Sequence, residues 1–299
     1  MLSFVPAVLR IPLACLLAAL NLVVHAVPLL VLALVKALVP VRGFRRAVST
    51  ILVAIAESWI AVNGVLLRTF TRTRLEVEGR AGLRRDGWYL VVANHQSWVD
   101  IVVLQDVFNR RVPFLKFFLK QQLIWVPLLG LAWWALDFPF MRRYSRETLE
   151  RRPELRGKDK QATRKACAKF AHLPVSVMNF VEGTRFTPEK HAEQASPHLH
   201  LLRPKAGGVA FVLESMGGIL HAVIDVTIAY PAGRPTLMDL VADRVPCVRV
   251  HVRELPIPGE LVGGDYENDP AYRERFQSWI NALWAEKDAR MAMLLRADA

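Results

Sequence analysis

Cysteine is scarce in this sequence, and what there is does not cluster. Cys15, Cys167 and Cys247 are far apart and none belongs to a CxxC pair. An odd number of thiols, one of them inside an apolar run, argues against a disulfide framework and against a thiolate zinc site. They read as reduced structural thiols facing the cytoplasm. A G-x-S-x-G elbow is also missing, so no serine nucleophile of that kind is expected. Neither an internal repeat nor a low-complexity segment occurs. Acidic residues are in deficit: Asp and Glu total 27 against 39 Lys and Arg, a formal charge of +12. That balance suits an anionic partner, either nucleic acid or the negative leaflet of a membrane. Stacking platforms for nucleic acid interleave aromatic with basic residues. Here the aromatics gather in apolar runs instead, which leaves the membrane as the partner.

What the chain has in excess is an apolar N-terminus. Its 299 residues suit one large domain, or a domain with an appendage, and 53% of them are hydrophobic. Residues 11–35 contain no Asp, Glu, Lys or Arg, and only His25 can titrate. The run exceeds the roughly 20 residues a spanning helix needs. It is too long for a signal peptide and lacks a clear small-residue cleavage site, so a retained anchor is expected. Lys36, Arg42, Arg45 and Arg46 follow it and only Arg10 precedes it, which places the side after residue 36 in the cytoplasm. A second apolar stretch, residues 47–70, is interrupted by Glu57 and Asn63 and followed by Arg68, Arg72 and Arg74. It reads as a helix lying in the interface, with a second membrane helix or a re-entrant pair as the alternative. The organisation is therefore a transmembrane anchor with a basic juxtamembrane segment over 1–46, an interfacial or second membrane helix over 47–74, and a catalytic body over 75–299.

In the body the periodicity changes. Residues 75–79 read as a short alternating strand. The apolar run 88–93 reads as a buried strand, 175–180 after Pro174 as another, and 218–230 as containing a third, richest at 222–228. In 247–255, Val248, Val250 and Val252 alternate with Arg249, His251 and Arg253, which predicts a strand with one solvated face. Helical patterns lie between: 115–136, broken at Pro127; a basic amphipathic stretch at 159–172; 205–216; and 272–295, with Trp279 and Trp284 on its apolar side. Residues 191–200 are polar and read as a surface loop. Strands alternating with helices predict an α/β layer architecture, a mixed sheet flanked by helices.

Two segments carry the chemistry, and each follows a buried strand, where functional loops are commonly mounted. The first is Asn94-His95-Gln96-Ser97-Trp98-Val99-Asp100. On a regular helix, positions five apart point about 140° away from each other, so His95 and Asp100 meet only if the chain turns within the motif. A strand-to-helix turn would let Asp100 accept from one imidazole nitrogen and leave the other free as a base. The second is Phe180-Val181-Glu182-Gly183-Thr184-Arg185-Phe186. Gly183 permits close approach of a ligand to the backbone, and Arg185 offers a planar fork suited to phosphate. Together they make a base and a phosphate clamp. Lys120, Arg142, Arg143 and Lys205 add cationic candidates.

On these residues the sequence resembles the glycerophospholipid acyltransferase family, the PlsC-like 1-acylglycerol-3-phosphate acyltransferases. The likeness spans about residues 75 to 255. It includes Lys120-Gln121-Gln122-Leu123 with Pro127, Gly130 and Phe140-Met141-Arg142-Arg143 as a second block, and Pro204-Lys205-Ala206-Gly207-Gly208 after the third. The whole chain looks most like the bacterial YihG-type branch. The resemblance implies a glycerolipid-acyltransferase-like sheet, with His95 as general base and Asp100 as its orienting partner. It implies that Glu182, Gly183, Thr184 and Arg185 bind the phosphoglycerol part of the acceptor, with Arg143 and Lys120 completing the phosphate site. It implies a lysophospholipid acceptor, 1-acyl-sn-glycerol-3-phosphate first, and acyl-CoA or an acyl carrier protein thioester as co-substrate. No metal, cofactor or nucleic acid is expected, and the setting implied is the bacterial inner membrane with a cytoplasmic catalytic domain. The third block departs from the family pattern at Val181, where Pro is usual, and at Phe186, where a polar residue is usual. Asp225-Val226-Thr227 stands where a proline is common and resembles the lysocardiolipin and lysophosphatidylinositol acyltransferases. The aromatic segment 123–140 would be a candidate acyl tunnel or ordinary core. A rival chemistry, a metal-dependent phosphoester hydrolase, would need His221 and Asp225 beside His95 and Asp100 as ligands.

Overall fold

The computed structural model describes residues 5–80, 82–141, 151, 167, 170 and 173–296. Arg142, Arg143 and the basic stretch at 159–172, apart from Cys167 and Phe170, lie outside the described residues. Two long helices come first, α1 (Ala7–Leu38) and α2 (Arg42–Phe70). The body follows as β1 (Arg74–Glu78), β2 (Tyr89–Ala93), α3 (Val99–Phe108), β3 (Leu115–Phe117), β4 (Leu119–Lys120), α4 (Leu129–Ala135) and β5 (Phe140–Met141). Then come β6 (Ser176–Phe180), α5 (Pro188–Glu193), α6 (Ala206–Met216), β7 (Ala222–Ala229), α7 (Leu237–Val241), β8 (Cys247–Leu255) and α8 (Pro270–Arg296).

The six-stranded sheet has the order β1-β8-β7-β2-β6-β3. Strands β7, β2, β6 and β3 are parallel to one another. β8 runs antiparallel to β7, and β1 pairs parallel with β8. The expected mixed sheet is thus present. Helices cover both faces of the central strands, so every residue of β2 and of β7 is buried, Asp225 and Thr227 of β7 included. Alternate residues serve opposite cores, as a period of two requires. Tyr89, Val91 and Ala93 face a core shared with α3 and the α1–α2 pair. Leu90 and Val92 face one built by Leu213 of α6 and Phe276, Ile280 and Trp284 of α8.

Three expectations are corrected. The alternation in β8 is real, but its polar face is not solvated. α8 covers it, and Arg249, only 5% exposed, donates to Glu76 at 2.9 Å and to the Leu294 carbonyl at 2.8 Å. Arg253 is held by Asp225 and Glu286. Long arginine stems let charge lie under a helix when a carboxylate meets it there. Residues 115–136 are not one broken helix, because Leu115, Lys116 and Phe117 pair with Ser176, Val177 and Met178 at the sheet edge. A short apolar run fits strand or helix equally, and tertiary pairing decides. Residues 191–200 are not all loop: α5 reaches Glu193, started by Thr187, whose hydroxyl accepts from the Lys190 amide.

The N-terminal pair is a hairpin. α2 begins at Arg42, so the basic cluster Arg42, Arg45 and Arg46 lies on a helix rather than on a linker. Arg45 Nε donates to the Lys36 carbonyl at 3.1 Å, closing the end of α1. Asn21 Nδ2 donates to Trp59 O and Asn63 Oδ1, and His25 Nε2 meets Ser58 Oγ, so polar groups join two otherwise apolar helices. Both helices are long and apolar enough to cross a membrane. Yet both ends of α1 touch the body. Arg10 donates to Ala242 O and lies 3.7 Å from Asp243, while Lys36 pairs with Asp137 at 3.0 Å. At 1.5 Å per residue α1 is about 48 Å long. With contacts near both of its ends, α1 lies against the body along its length.

Candidate active site

The C-terminal ends of the parallel strands β2 and β6 form one edge of the sheet, the usual place for ligands in open α/β sheets. The chain leaving β2 is fixed before it turns. Asn94 exchanges two hydrogen bonds with the backbone of Ile228, each 2.9 Å, extending the ladder to β7 by a side chain. Ser97 Oγ donates to the Pro235 carbonyl and accepts from the Val99 amide, which starts α3. The turn places Asp100 in the first turn of α3, fully buried, where the helix dipole favours an anion. Asp100 Oδ2 accepts from His95 Nδ1 at 2.8 Å, from the Gln96 amide at 2.6 Å and from the Ser97 amide at 2.9 Å. Asp100 Oδ1 accepts from the Tyr230 hydroxyl at 2.6 Å. A buried carboxylate is tolerable only when so satisfied. Burial, and then the neighbouring Asp100, push the Tyr230 phenol well above its usual range, so it remains a neutral donor.

His95 is the open member of the pair, its side chain 13% exposed. With Nδ1 committed to the carboxylate, Nε2 is left as the acceptor. Phe180 stacks on the imidazole, centroids 3.9 Å apart and planes at 11°, so the ring cannot swing. The backbone on both sides of His95 is tied to the second loop: its amide donates to Glu182 Oε2 at 3.0 Å, and its carbonyl accepts from the Phe186 amide at 2.8 Å.

The second loop departs from expectation in one respect. Glu182 was expected to touch the acceptor, but it is fully buried. Its other oxygen accepts from the Leu202 amide at 3.1 Å, so both oxygens are committed to backbone. Removal from water pushes its carboxyl up to about 8, against the pull of those two amides. It positions the His95 loop and does not reach out. Gly183 turns the chain with φ +69°, a conformation that favours glycine. Beyond it Thr184 Oγ1 accepts from Lys190 Nζ at 2.8 Å. Arg185 is exposed, its guanidinium 4.7 Å from the centre of the Trp98 ring. Gly208 lets α6 approach β6: a Cβ there would come 2.7 Å from Asn179 Nδ2.

Lys120 sits exposed on the small β4–β5 ribbon, and no hydrogen bond or ion pair among the described residues joins it to the His95 loop. Lys205 caps α6 through its backbone, donating to Val181 O. The aromatic segment divides. Ala132, Ala135, Leu136 and Phe138 enter the core, while Trp125, Leu131 and Trp134 face outward. The ligands of the rival metal reading are engaged elsewhere. The His221 ring accepts from the Trp88 amide and stacks on Trp88, and Asp225 is taken by Arg253 and the buried Lys287. Among the described residues no group of three or more His, Cys, Asp or Glu side chains converges. Sequence reasoning missed Phe180 as the ring stacked on His95, and it missed Tyr230, Lys190 and Arg234. Only the fold brings them to their partners Asp100, Thr184 and Gln96.

A family model described as Acyltransferase matches residues 74–231. The mouse (Mus musculus) 1-acyl-sn-glycerol-3-phosphate acyltransferase delta is 25% identical over 213 residues, covering 67% of this chain and 51% of that one. Mouse lysocardiolipin acyltransferase 1 is 26% identical over 264 residues, covering 82% of this chain and 63% of that one. The chain therefore spans only about half to three-fifths of the length of these relatives. A crystal structure of the 1-acyl-sn-glycerophosphate acyltransferase PlsC from Thermotoga maritima overlays with TM-score 0.48 at 19% identity, covering 90% of this chain and 96% of that one.

Proposed function

The chain belongs to the acyltransferase family, and from that premise we propose that it moves a fatty acyl group from a thioester to the free hydroxyl of a lysophospholipid at a membrane surface. One observation carries the reading: a partly exposed imidazole bound at 2.8 Å to a fully buried carboxylate at the strand ends, in a loop whose Trp98 ring carries an exposed guanidinium. His95 Nε2 takes the hydroxyl proton as the oxygen attacks the thioester carbonyl. Asp100 stabilises the imidazolium, and the proton returns to sulfur as the C–S bond breaks and the thiol leaves. No covalent acyl-enzyme is required, and the nearby Ser97 hydroxyl is committed to Pro235 O. Arg185, with the turn at Gly183 and Thr184, receives the acceptor phosphate. Arg143 and Lys120 are proposed as outer cations of the same site.

The acceptor proposed first is 1-acyl-sn-glycerol-3-phosphate, giving phosphatidic acid, because that compound appears in the names of several relatives. A second acceptor, lysocardiolipin, is favoured by Asp225-Val226-Thr227 and by the longer match to the lysocardiolipin enzyme. The donor is acyl-CoA or acyl carrier protein. The hairpin is proposed to lie along the bilayer surface, with the catalytic body on the cytoplasmic side of a bacterial inner membrane. Leu9, Leu16, Leu20, Val24, Val27, Val31, Leu34 and Leu38 form one exposed stripe at helical spacing on α1, which is the face offered to lipid.

The test is a transfer assay with the purified full chain, labelled acyl thioester and a panel of lysophospholipids. Acylated product is expected with an anionic acceptor. His95→Ala should lower turnover by at least about 10²–10⁴-fold, the usual worth of a general base. Near-wild-type turnover in that variant would overturn the assignment.

A further inference from the structure

A third segment closes the site, and its sequence gives no hint of that role. The six residues after β7 are laced to the His95 loop three times. Tyr230 donates to Asp100 Oδ1 at 2.6 Å, Arg234 Nε donates to Gln96 Oε1 at 2.7 Å, and the Pro235 carbonyl accepts from Ser97. Gln96 is itself buried and fixed by donating to His200 O at 3.1 Å. Arg234 is held from the other side as well. Its guanidinium lies 3.9 Å from the centre of the Phe186 ring, and the Phe186 amide donates to the His95 carbonyl. The guanidinium is thus clamped between the residue that follows the base and a residue bonded to its backbone.

That charge has no counter-ion. Among the described residues no carboxylate pairs with Arg234. The acid that acts on it electrostatically is Glu182, whose oxygens are both committed to backbone amides. The side chain is otherwise exposed, so with only Nε engaged the terminal N–H fork is open to a ligand, and such a fork matches phosphate oxygens. Arg185 is held in a similar way, on the Trp98 ring. Two guanidiniums from two loops are therefore each steadied on an aromatic face, one on Trp98 of the His95 loop and one bonded to Gln96 beside His95.

We propose that Arg234 is the second arm of the acceptor site and selects lysophospholipids whose phosphate is a doubly charged monoester. The inference rests on the acyl-transfer reading above. A phosphodiester carries one charge and is served by Arg185, whereas a monoester adds a charge and a free oxygen for Arg234. Acceptor and donor differ in where their phosphates lie relative to His95. In the acceptor the phosphate is a few bonds from the hydroxyl that must touch Nε2. In acyl-CoA the whole pantetheine arm separates the thioester from the nearest phosphate. A cation bonded to the side chain of the residue after His95 therefore meets the acceptor.

The experiment compares wild type, Arg234→Gln and Arg234→Lys. Each is assayed with lysophosphatidate, with lysophosphatidylglycerol, and at varied acyl-CoA concentration. Arg234→Gln should raise KM for lysophosphatidate about tenfold or more, with kcat within a few-fold, and leave KM for lysophosphatidylglycerol nearly unchanged. Arg234→Lys, which keeps the charge, should recover part of the loss. An equal loss on both acceptors would mark a merely structural tether and overturn the proposal. So would a rise confined to the KM for acyl-CoA, or no change at all. A wild-type chain inert with every acceptor would overturn the acyl-transfer reading together with this inference. An active wild type whose Arg234 variants keep their selectivity would overturn this inference alone.

Discussion

Asp100→Asn isolates charge from geometry at the site. Three donors converge on Oδ2, from His95 Nδ1 and the amides of Gln96 and Ser97, while only the Tyr230 hydroxyl meets Oδ1. An asparagine keeps that pattern with its carbonyl at the crowded position and its NH₂ turned to Tyr230, whose hydroxyl can accept as well as donate. The imidazole therefore keeps its tautomer, and what is lost is the negative charge that stabilises the imidazolium. Hydrogen bonds to charged groups contribute about 1.5–3 kcal/mol against about 0.5–1.5 for neutral ones. A further loss of direct charge attraction brings the transition-state cost to about 3–4 kcal/mol, or about 10²–10³ in rate. Tm should fall modestly, since the donors to Oδ2 keep an acceptor while the buried Tyr230 O–H loses its own. The assay is kcat/KM for Asp100→Asn, His95→Ala and the double variant. Because Asp100 acts through His95, the double variant should be no slower than His95→Ala alone. Additive losses, or an Asp100→Asn enzyme within threefold of wild type, would refute the mechanism.

Glu182 makes stability depend on pH in an unusual direction. Its carboxyl is pushed up to about 8 in the fold from an ordinary 4.5, so the fold favours the protonated form. That contribution is complete below about pH 4.5 and is lost as pH rises towards 8, so wild-type Tm should fall across that window for this reason. Glu182→Gln should flatten that part of the profile in a series of thermal melts, and an unchanged slope would show that the group titrates normally. The exposed stripe on α1 predicts that Leu16→Glu with Val24→Glu weakens binding to anionic liposomes at least tenfold in sedimentation. Acyl transfer to a short-chain, freely soluble acceptor should be preserved, and undiminished liposome binding would place the lipid-facing surface elsewhere.

Strands β2, β7 and β8 were legible because each carries its own signature: an unbroken apolar run at 89–93, an apolar-rich run at 222–229, and strict alternation over 248–253. The polar face of β8 was misjudged because an arginine under a helix and an arginine in water look alike in sequence. What decides between them is the carboxylate of Glu76, far away along the chain. The run at 115–120 failed for the same reason in reverse, since its partner strand lies some sixty residues on. The base and its carboxylate could be found from spacing plus their place after a strand. Tyr230 and Arg234 could not, because their relation to residues 96–100 exists only once β7 lies beside β2.

The site separates into two kinds of residue, and they should fail differently. Asn94, Ser97, Asp100 and Glu182 are buried and spend their polar atoms on backbone or on each other. Their work is to hold one imidazole within a fraction of an ångström, so their loss disturbs geometry that matters only when the proton moves, and kcat falls. Arg185, Arg234 and Lys190 form the rim, the first two steadied by ring stacking and the third bonded to Thr184. They meet charge that the acceptor carries before and after the reaction alike, so their loss removes uniform binding and raises KM. The same division explains how the motif around His95 and Asp100 can be recognised in sequence while acceptor identity is not. The inner set is dictated by the chemistry of one proton transfer. The rim is assembled from two segments far apart in sequence, and each can change its reach without disturbing the strand ends beneath.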